Sequence, residues 1–375
     1  MVRLDKKSRE QYAKLIVEAL QQEDLNLFRE SFLELHRTDQ VEIFLTLDKE
    51  NRQRVYSYLS PSDFAEIFGG LEFEMQAKVV SELDERYFAT IFDSMFADDV
   101  ATYLTRINDD QADQILTIME PEKAKEVREI LSYTPKTAGA VMTKEFISIS
   151  SSDAASVVIE KLREHGPDAE TIYYLYVVNE QGELVGVLSL RDLITVPAET
   201  RVEEMMSTRV VSVPVDMDQE EVAKIIQKYD FLAAPVVSTE GSLLGIVTVD
   251  DVMDIVEEEA TEDLGGISAA KGATDVHLSA FTAAKKRSPW IILLMFFGLI
   301  TAEVIGQFEE TLESIVLLAA FIPLIMDSAG NTGTQSLAVA VRGLALGTVK
   351  KGTIARMIRR EFGTGLMLGS FVWLY

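Results

Sequence analysis

VVNEQGELVGVLSLRDL, residues 177–193, aligns without a gap to VVSTEGSLLGIVTVDDV, residues 236–252, at an offset of 59. Each copy reads as a strand, a glycine turn (Gly182, Gly241), a second strand and an acid-bearing helix start. Outward from this core, Met142-Thr143 and Met206-Ser207 open the two copies. Each opening leads into a short strand, FISIS (146–150) or VVSV (210–213), and then into a helix led by Asp153 or Asp218. The order βαββα is therefore repeated across residues 137–256, with one copy in 137–200 and the other in 201–256.

The flanks differ from this core. Residues 1–133 have almost no β-branched runs and predict an all-helical region. Short apolar-periodic segments start near Pro61, Glu72, Asp84, Ala97, Asn108 and Pro121, which suggests a stack of short helices in a superhelix. Ser60-Pro61-Ser62-Asp63 is a strong helix start, with proline at the first position and an acid in the first turn.

Residues 257–288 run from acidic to basic through Gly265-Gly266 and predict a connecting helix from about Thr274. Residues 289–375 hold apolar segments at Trp290–Gln307, Ser314–Val341 and Phe362–Tyr375. The first two are long enough to span a bilayer and the third reads as part of a span, so a truncated membrane domain is expected. FEETLES (308–314) is predicted as an acidic loop. Lys285, Lys286, Arg287, Lys350, Lys351, Arg356, Arg359 and Arg360 flank the other side, which places the N-terminal region in the cytoplasm.

The second span carries an unusual load. PLIMDSAGNTGTQS (323–336) sets a proline, an aspartate, an asparagine, two glycines and a glutamine in an apolar helix. Such groups are tolerated at membrane depth where they face protein or a watery path, so the stretch reads as the wall of an ion pathway. Asp327 lies one turn before Asn331, on the same path or paired with a neighbouring helix.

The formal net charge is −26, and residues from Pro289 onward contain six acidic and six basic residues, so the whole excess lies upstream. That argues against nucleic acid as a partner and for cations, although a solubilising surface has the same composition. Absence of cysteine removes disulfides and thiolate metal sites, and three histidines make zinc a poor fit. The charged N-terminus is not a signal peptide. No nucleophile–base pair, phosphate-cradling glycine loop or histidine cluster supports an enzyme.

VDDVMDIVEEEATED (249–263) places eight carboxylates on one helix and its end, with Asp251, Asp254, Glu258 and Glu262 on a common face. Like charges at this spacing repel by roughly 0.2–0.5 kcal/mol per pair. The face is either solvated surface or a site for hard, oxygen-seeking cations such as Mg²⁺ or Ca²⁺. Its place between the repeat and the membrane favours the second reading. Asp63, Asp98-Asp99 and Asp218 lie at helix starts, where capping is the competing explanation.

The duplicated core resembles a tandem pair of CBS domains. An acidic helical superhelix, a CBS pair, an acidic connector and a membrane part with Pro323, Gly330, Asn331, Gly333, Gln335 and Ser336 together resemble the MgtE family of magnesium channels. The resemblance implies a multidomain membrane protein: all-α superhelix, α/β CBS pair and α-helical transmembrane domain. It also implies a homodimer, multi-pass in the lipid bilayer of the inner membrane, importing Mg²⁺ and closed by cytosolic Mg²⁺.

By the same resemblance Asp251, Asp254, Glu259, Glu262 and Asp263 sense Mg²⁺, as do Asp218, Glu220 and Asp230, with Asp63 and Asp99 in the helical domain. Asn331 and the carbonyls of Ala329 and Gly330 hold a hydrated ion in the pore, with Asp327 beside them. The S/T-x-x-D sequences Ser189–Asp192 and Thr248–Asp251 match the ribose-contacting pattern of nucleotide-binding CBS pairs. Tyr174, Arg191, Asp192 and Phe231 are the positions implied for ATP as a regulatory ligand. The alternative is a membrane-anchored nucleotide- or cation-sensing protein without its own pore, against which the polar second span argues.

Overall fold

Caps divide the N-terminal region into short helices. The computed structural model describes residues 6–267, 279–345 and 354–374. Among them, ten helices precede the repeat: α1 (Lys6–Gln21), α2 (Leu25–Leu33), α3 (Arg37–Thr46), α4 (Lys49–Tyr58), α5 (Pro61–Gly69), α6 (Phe73–Glu82), α7 (Glu85–Ser94), α8 (Ala97–Leu104), α9 (Asp109–Ile118) and α10 (Pro121–Ser132). The six starts expected from periodicity fall within one residue of those observed for α5–α10. Asp24, Asp48, Ser60, Asp84 and Asn108 each accept a backbone N–H at the helix they cap.

Helices this short are marginal alone and depend on a shared core. Phe28, Phe32, Phe44, Phe64, Phe68 and Phe92 are completely buried along that core. Each such ring stabilises by about 1.5–3 kcal/mol. Ring contacts carry the core along the stack, with Phe44–Phe64 at 5.3 Å, Phe68–Phe92 at 5.6 Å and Phe92–Tyr103 at 5.3 Å. One ion pair is sealed inside: Arg52 donates twice to Glu82, at 2.6 and 3.0 Å, and Tyr56 adds a third bond at 2.9 Å.

The repeat forms two three-stranded sheets, β1 (Ser148–Ser150), β2 (Tyr174–Val178) and β3 (Leu184–Ser189), then β4 (Val213–Pro214), β5 (Ala233–Val237) and β6 (Leu243–Thr248). In each, the outer pair is parallel and the hairpin antiparallel. Helices α11 (Ala155–His165), α12 (Leu190–Thr195), α13 (Val202–Met205) and α14 (Gln219–Tyr229) complete the two copies. The offset of 59 persists in detail: register shifts fall at Val177/Val178 and Val236/Val237, and both turn glycines have positive φ.

The copies are also interlocked. Thr143, from the lead-in of the first, pairs with Ile246 on β6, and Ser207, from the lead-in of the second, pairs with Val187 on β3. Gly186 and Gly245 permit this approach. A Cβ on Gly245 would lie 2.6 Å from the Thr143 carbonyl, and one on Gly186 would lie 2.6 Å from the Met206 sulfur.

Helix α15 (Val249–Ile267) leaves β6 directly. The chain divides into two compact units between Met253 and Asp254. In the second unit, α16 (Ala280–Gly306), α17 (Glu309–Ser314), α18 (Val316–Ala345) and α19 (Ile354–Leu374) follow. The expected acidic loop contains a six-residue helix, α17. The last apolar segment belongs to a helix that starts earlier than expected, at Ile354. The expected connector start near Thr274 and the basic Lys350 and Lys351 lie outside the described residues.

Two helices, α16 and α18, are long and apolar enough to cross a membrane. At about 1.5 Å per residue, the 27 residues of α16 exceed a hydrocarbon core of about 30 Å. Neither is buried against protein, and their apolar side chains face outward.

Candidate functional site

Four segments of the first unit bring acids together. Asp98 and Asp99 open α8, Glu145 lies on the lead-in to β1, Glu170 precedes β2, and Asp250 and Asp251 open α15. Asp98 is 8% exposed, and its Oδ1 has no hydrogen-bond partner. Burial, then the charges of Asp251, Asp99, Glu145 and Glu170, push its carboxyl well above the ordinary carboxylate range. Burial raises Glu170 to about 8, with Asp251, Asp250, Asp99 and Glu145 adding to the effect. Burial also raises Asp251 to about 6, reinforced by Asp250 and Asp99, although its bonds to Thr248 pull the other way.

Glu145 is the exception. It accepts from Ala97 N at 3.1 Å, Thr143 Oγ1 at 2.7 Å, Lys144 N at 3.0 Å and Lys123 Nζ. Burial acts to raise its carboxyl, and Lys123 with the Thr143 and Ala97 donors outweighs this, leaving it below the ordinary range. The site therefore contains one carboxylate compensated by a lysine, a buried Asp98 with an unpartnered oxygen, and the part-buried Glu170 and Asp251, of which Asp251 has, among the described residues, only the Thr248 donors. Unpaired buried charge is expensive, and either protons or hard cations relieve it. An all-oxygen set suits Mg²⁺, which retains much of its water and is held partly through it. Among the described residues no three Asp, Glu or His side chains are arranged to hold one ion directly.

The sequence pattern pointed to Asp99 and Asp251. Sequence places the pair Asp98-Asp99 at a helix start, and the structure shows Asp98 as its buried member; Glu145 and Glu170 emerge only from tertiary structure, because both glutamates lie on irregular segments without periodicity.

Other expected residues have local roles. Asp63 is the third residue of a capping box with Ser60, and its Oδ2 accepts from Arg29 at 3.2 Å. Asp218 caps α14 through Glu220 N at 2.9 Å, Glu220 pairs with Lys224 at 2.7 Å, and Asp230 ends the helix in left-handed conformation. Asp218 and Asp230 stand at opposite ends of eleven residues, a separation of roughly 18 Å, so one chain does not bring all three acids to one ion. Asp254, Glu259 and Glu262 lie on α15 beyond the division between the units. Asp263 lies on the same helix, and its side chain is outside those described.

The two S/T-x-x-D sequences share one side-chain bond, and Ser189 also caps α12 by accepting from Asp192 N at 3.1 Å. Ser189 Oγ donates to Asp192 Oδ2 at 2.6 Å, and Thr248 Oγ1 donates to Asp251 Oδ2 at 2.5 Å. Asp192 and Arg191 are exposed, whereas Asp251 belongs to the acidic cluster. Tyr174 pairs with Ser189 and packs with Tyr176, Ala233 and Ile246, and Phe231 stacks on Tyr229 at 5.4 Å. In the second unit, Asn331 Nδ2 donates to Asp327 Oδ2 at 3.2 Å along α18. The helix is unbroken through Ala329 and Gly330, and the Gly330 carbonyl also accepts from Thr334 Oγ1 at 3.0 Å.

An all-helical domain, an interlocked CBS pair and long exposed apolar helices define a membrane protein with a large folded N-terminal region. Family profiles agree in the same order: MgtE intracellular N domain over 35–136, CBS domain over 138–199 and 202–258, and divalent cation transporter over 322–375. The magnesium transporter MgtE of Enterococcus faecalis is 41% identical over 367 residues, covering 97% of this chain and 81% of the relative. That of Bacillus subtilis is 40% identical over 343 residues, covering 92% and 76%. The crystal structure of the soluble part of a magnesium transporter superposes with a TM-score of 0.65 at 39% identity, covering 67% of this chain and 99% of that one. The cytosolic domain of the Mg²⁺ channel MgtE in complex with ATP superposes with a TM-score of 0.61 at 39% identity, covering 65% and 99%. The chain belongs to the MgtE family of magnesium transporters, which are not enzymes.

Proposed function

We propose that this chain imports Mg²⁺ across the cell membrane and that cytosolic Mg²⁺ closes it by binding the acidic cluster. The observation that carries this reading is the buried Asp98 carboxylate, one oxygen unpartnered, facing Glu170 and Asp251 from the CBS pair. Without a divalent ion, repulsion favours separation of the helical domain from the repeat. An ion that binds the docked arrangement better shifts the population toward it, and the shift cannot exceed that difference in affinity.

Asp327 and Asn331, with the backbone at Ala329 and Gly330, contribute to the pathway, and outer-sphere contacts suit a hydrated ion. Asp254, Glu259, Glu262 and Asp263 extend sensing along α15. Asp63, Asp99, Asp218, Glu220 and Asp230 are further acids for ions shared between elements or between the subunits of a homodimer. ATP modulates the response through Tyr174, Arg191, Asp192 and Phe231. The ATP complex of the structural relative supports this assignment.

The test is Mg²⁺ entry into proteoliposomes with the regulatory face exposed to graded Mg²⁺. The wild type should limit its own flux as that concentration rises, and the flux of Asp98→Asn with Glu170→Gln should no longer depend on it. Equal self-limitation in the variant would remove the cluster from gating.

A further inference from the structure

The acidic cluster has a cation of its own. Lys123, on α10 of the helical domain, reaches Glu145 of the CBS lead-in, and both side chains are 15% exposed. The same carboxylate accepts the N–H of Ala97 at the start of α8, so two helices of one domain converge on one residue of the other. A second pair, Lys144 with Glu129 at 2.5 Å, runs beside it in the opposite sense.

From Glu145 the bonding continues inward. Thr143 Oγ1 donates to Glu145, and the Thr143 backbone exchanges hydrogen bonds with Ile246 at 2.8 and 3.0 Å. Ile246 lies on β6, which ends at Thr248, the residue that precedes α15 and donates to Asp251. A continuous path of short bonds thus joins Lys123 to the carboxylate most coupled to Asp98.

We propose that Lys123 is a resident counter-ion and positioning residue that sets the Mg²⁺ concentration at which the helical domain docks on the CBS pair. This rests on the sensing role given to the acidic cluster. Lys123 neutralises one of its carboxylates permanently, so exchangeable ions need compensate only the remainder. Docking is then partly formed before any ion binds, and the ion completes it. Replacing Lys123 by a neutral side chain adds one uncompensated carboxylate to the docked state alone.

The chain has no cysteine, so Thr90→Cys and Glu180→Cys, both at exposed positions, give a unique pair for spin labels. Pulsed dipolar distances in the full chain in nanodiscs, over a Mg²⁺ titration, report the docked fraction. Lys123→Gln should lower that fraction without Mg²⁺ and raise the midpoint about tenfold, within the usual range of coupling between sites. Lys123→Arg should stay close to wild type, since it keeps the charge.

An unchanged fraction and midpoint in Lys123→Gln would overturn the proposal, as would Lys123→Arg behaving like the neutral variant. A wild type indifferent to Mg²⁺ would instead sink the sensing reading. The counter-ion would then stand or fall on the docked fraction without the ion.

Discussion

Asp251→Asn removes a charge while keeping the oxygen that Thr248 needs. In the wild type Thr248 Oγ1 and N both bond Oδ2, at 2.5 and 3.3 Å, and an amide oxygen can accept both. The carboxyl is displaced from 3.8 to about 6, principally by burial. At about 1.4 kcal/mol per unit, the ionised form at neutral pH costs the fold at most about 3 kcal/mol. Discounting for its partial exposure leaves about 1–2 kcal/mol.

Without divalent ions Asp251→Asn should therefore raise the Tm of the full chain in detergent, by about 2–6 °C. With Mg²⁺ the order should change. An ion at ten times its Kd stabilises the wild type by about 1.4 kcal/mol, and the variant should keep only part of this gain. Differential scanning calorimetry with chelator and with Mg²⁺ measures both quantities. A variant less stable than wild type in chelator, or one that gains as much from Mg²⁺, would refute the electrostatic account of this residue.

Three other outcomes follow from the same structure. Raised folded-state values at Asp251 and Glu170 mean that the native state binds protons more tightly, so their contribution is complete below about pH 4 and is lost as pH rises through about 6 and 8. Divalent-free stability in urea should decline over that window, with Mg²⁺ flattening the decline, while Glu145, lowered in the fold, contributes in the opposite sense on acidification. Arg52→Ala strands the buried Glu82 carboxylate and should cost about 3–5 kcal/mol, read as lost hydrogen-exchange protection in α4–α6; a loss under 1 kcal/mol would mean water already reaches the pair. Gly245→Ala forces a Cβ against the Thr143 carbonyl and should cost about 1–3 kcal/mol in urea denaturation, whereas Gly241→Ala is strained only by its positive φ, with open space around it.

Much of the fold was legible because its signals are local. Caps and prolines mark α5–α10, and the duplicated strand pair with its glycine turn repeats at a fixed offset down to the register shifts. The interlocking of the copies was not legible, since the pairing of Thr143 with Ile246 joins residues about a hundred positions apart. Local reading also selected acids by density. It favoured the run on α15 and the exposed Asp99, and it passed over Glu145 and Glu170, which are single acids on irregular backbone. Their importance comes from what surrounds them: Lys123 beside one, and Asp251, Asp250 and Asp99 acting on the other, which in turn acts on Asp98. For Asp63 and Asp218, capping, which sequence offered as the competing reading, is what the side chains do within one chain.

The most direct test is limited proteolysis of the full chain at the connector between α10 and the repeat, over a Mg²⁺ titration, in wild type and in Asp98→Asn with Asp251→Asn. Millimolar Mg²⁺ protecting the wild-type connector, with the variant protected to the same degree whether or not the ion is present, is the result expected of carboxylates that hold the helical domain through a cation. Cleavage of the wild type that ignores Mg²⁺ would contradict it and leave the cluster as a buried electrostatic cost with no sensing role.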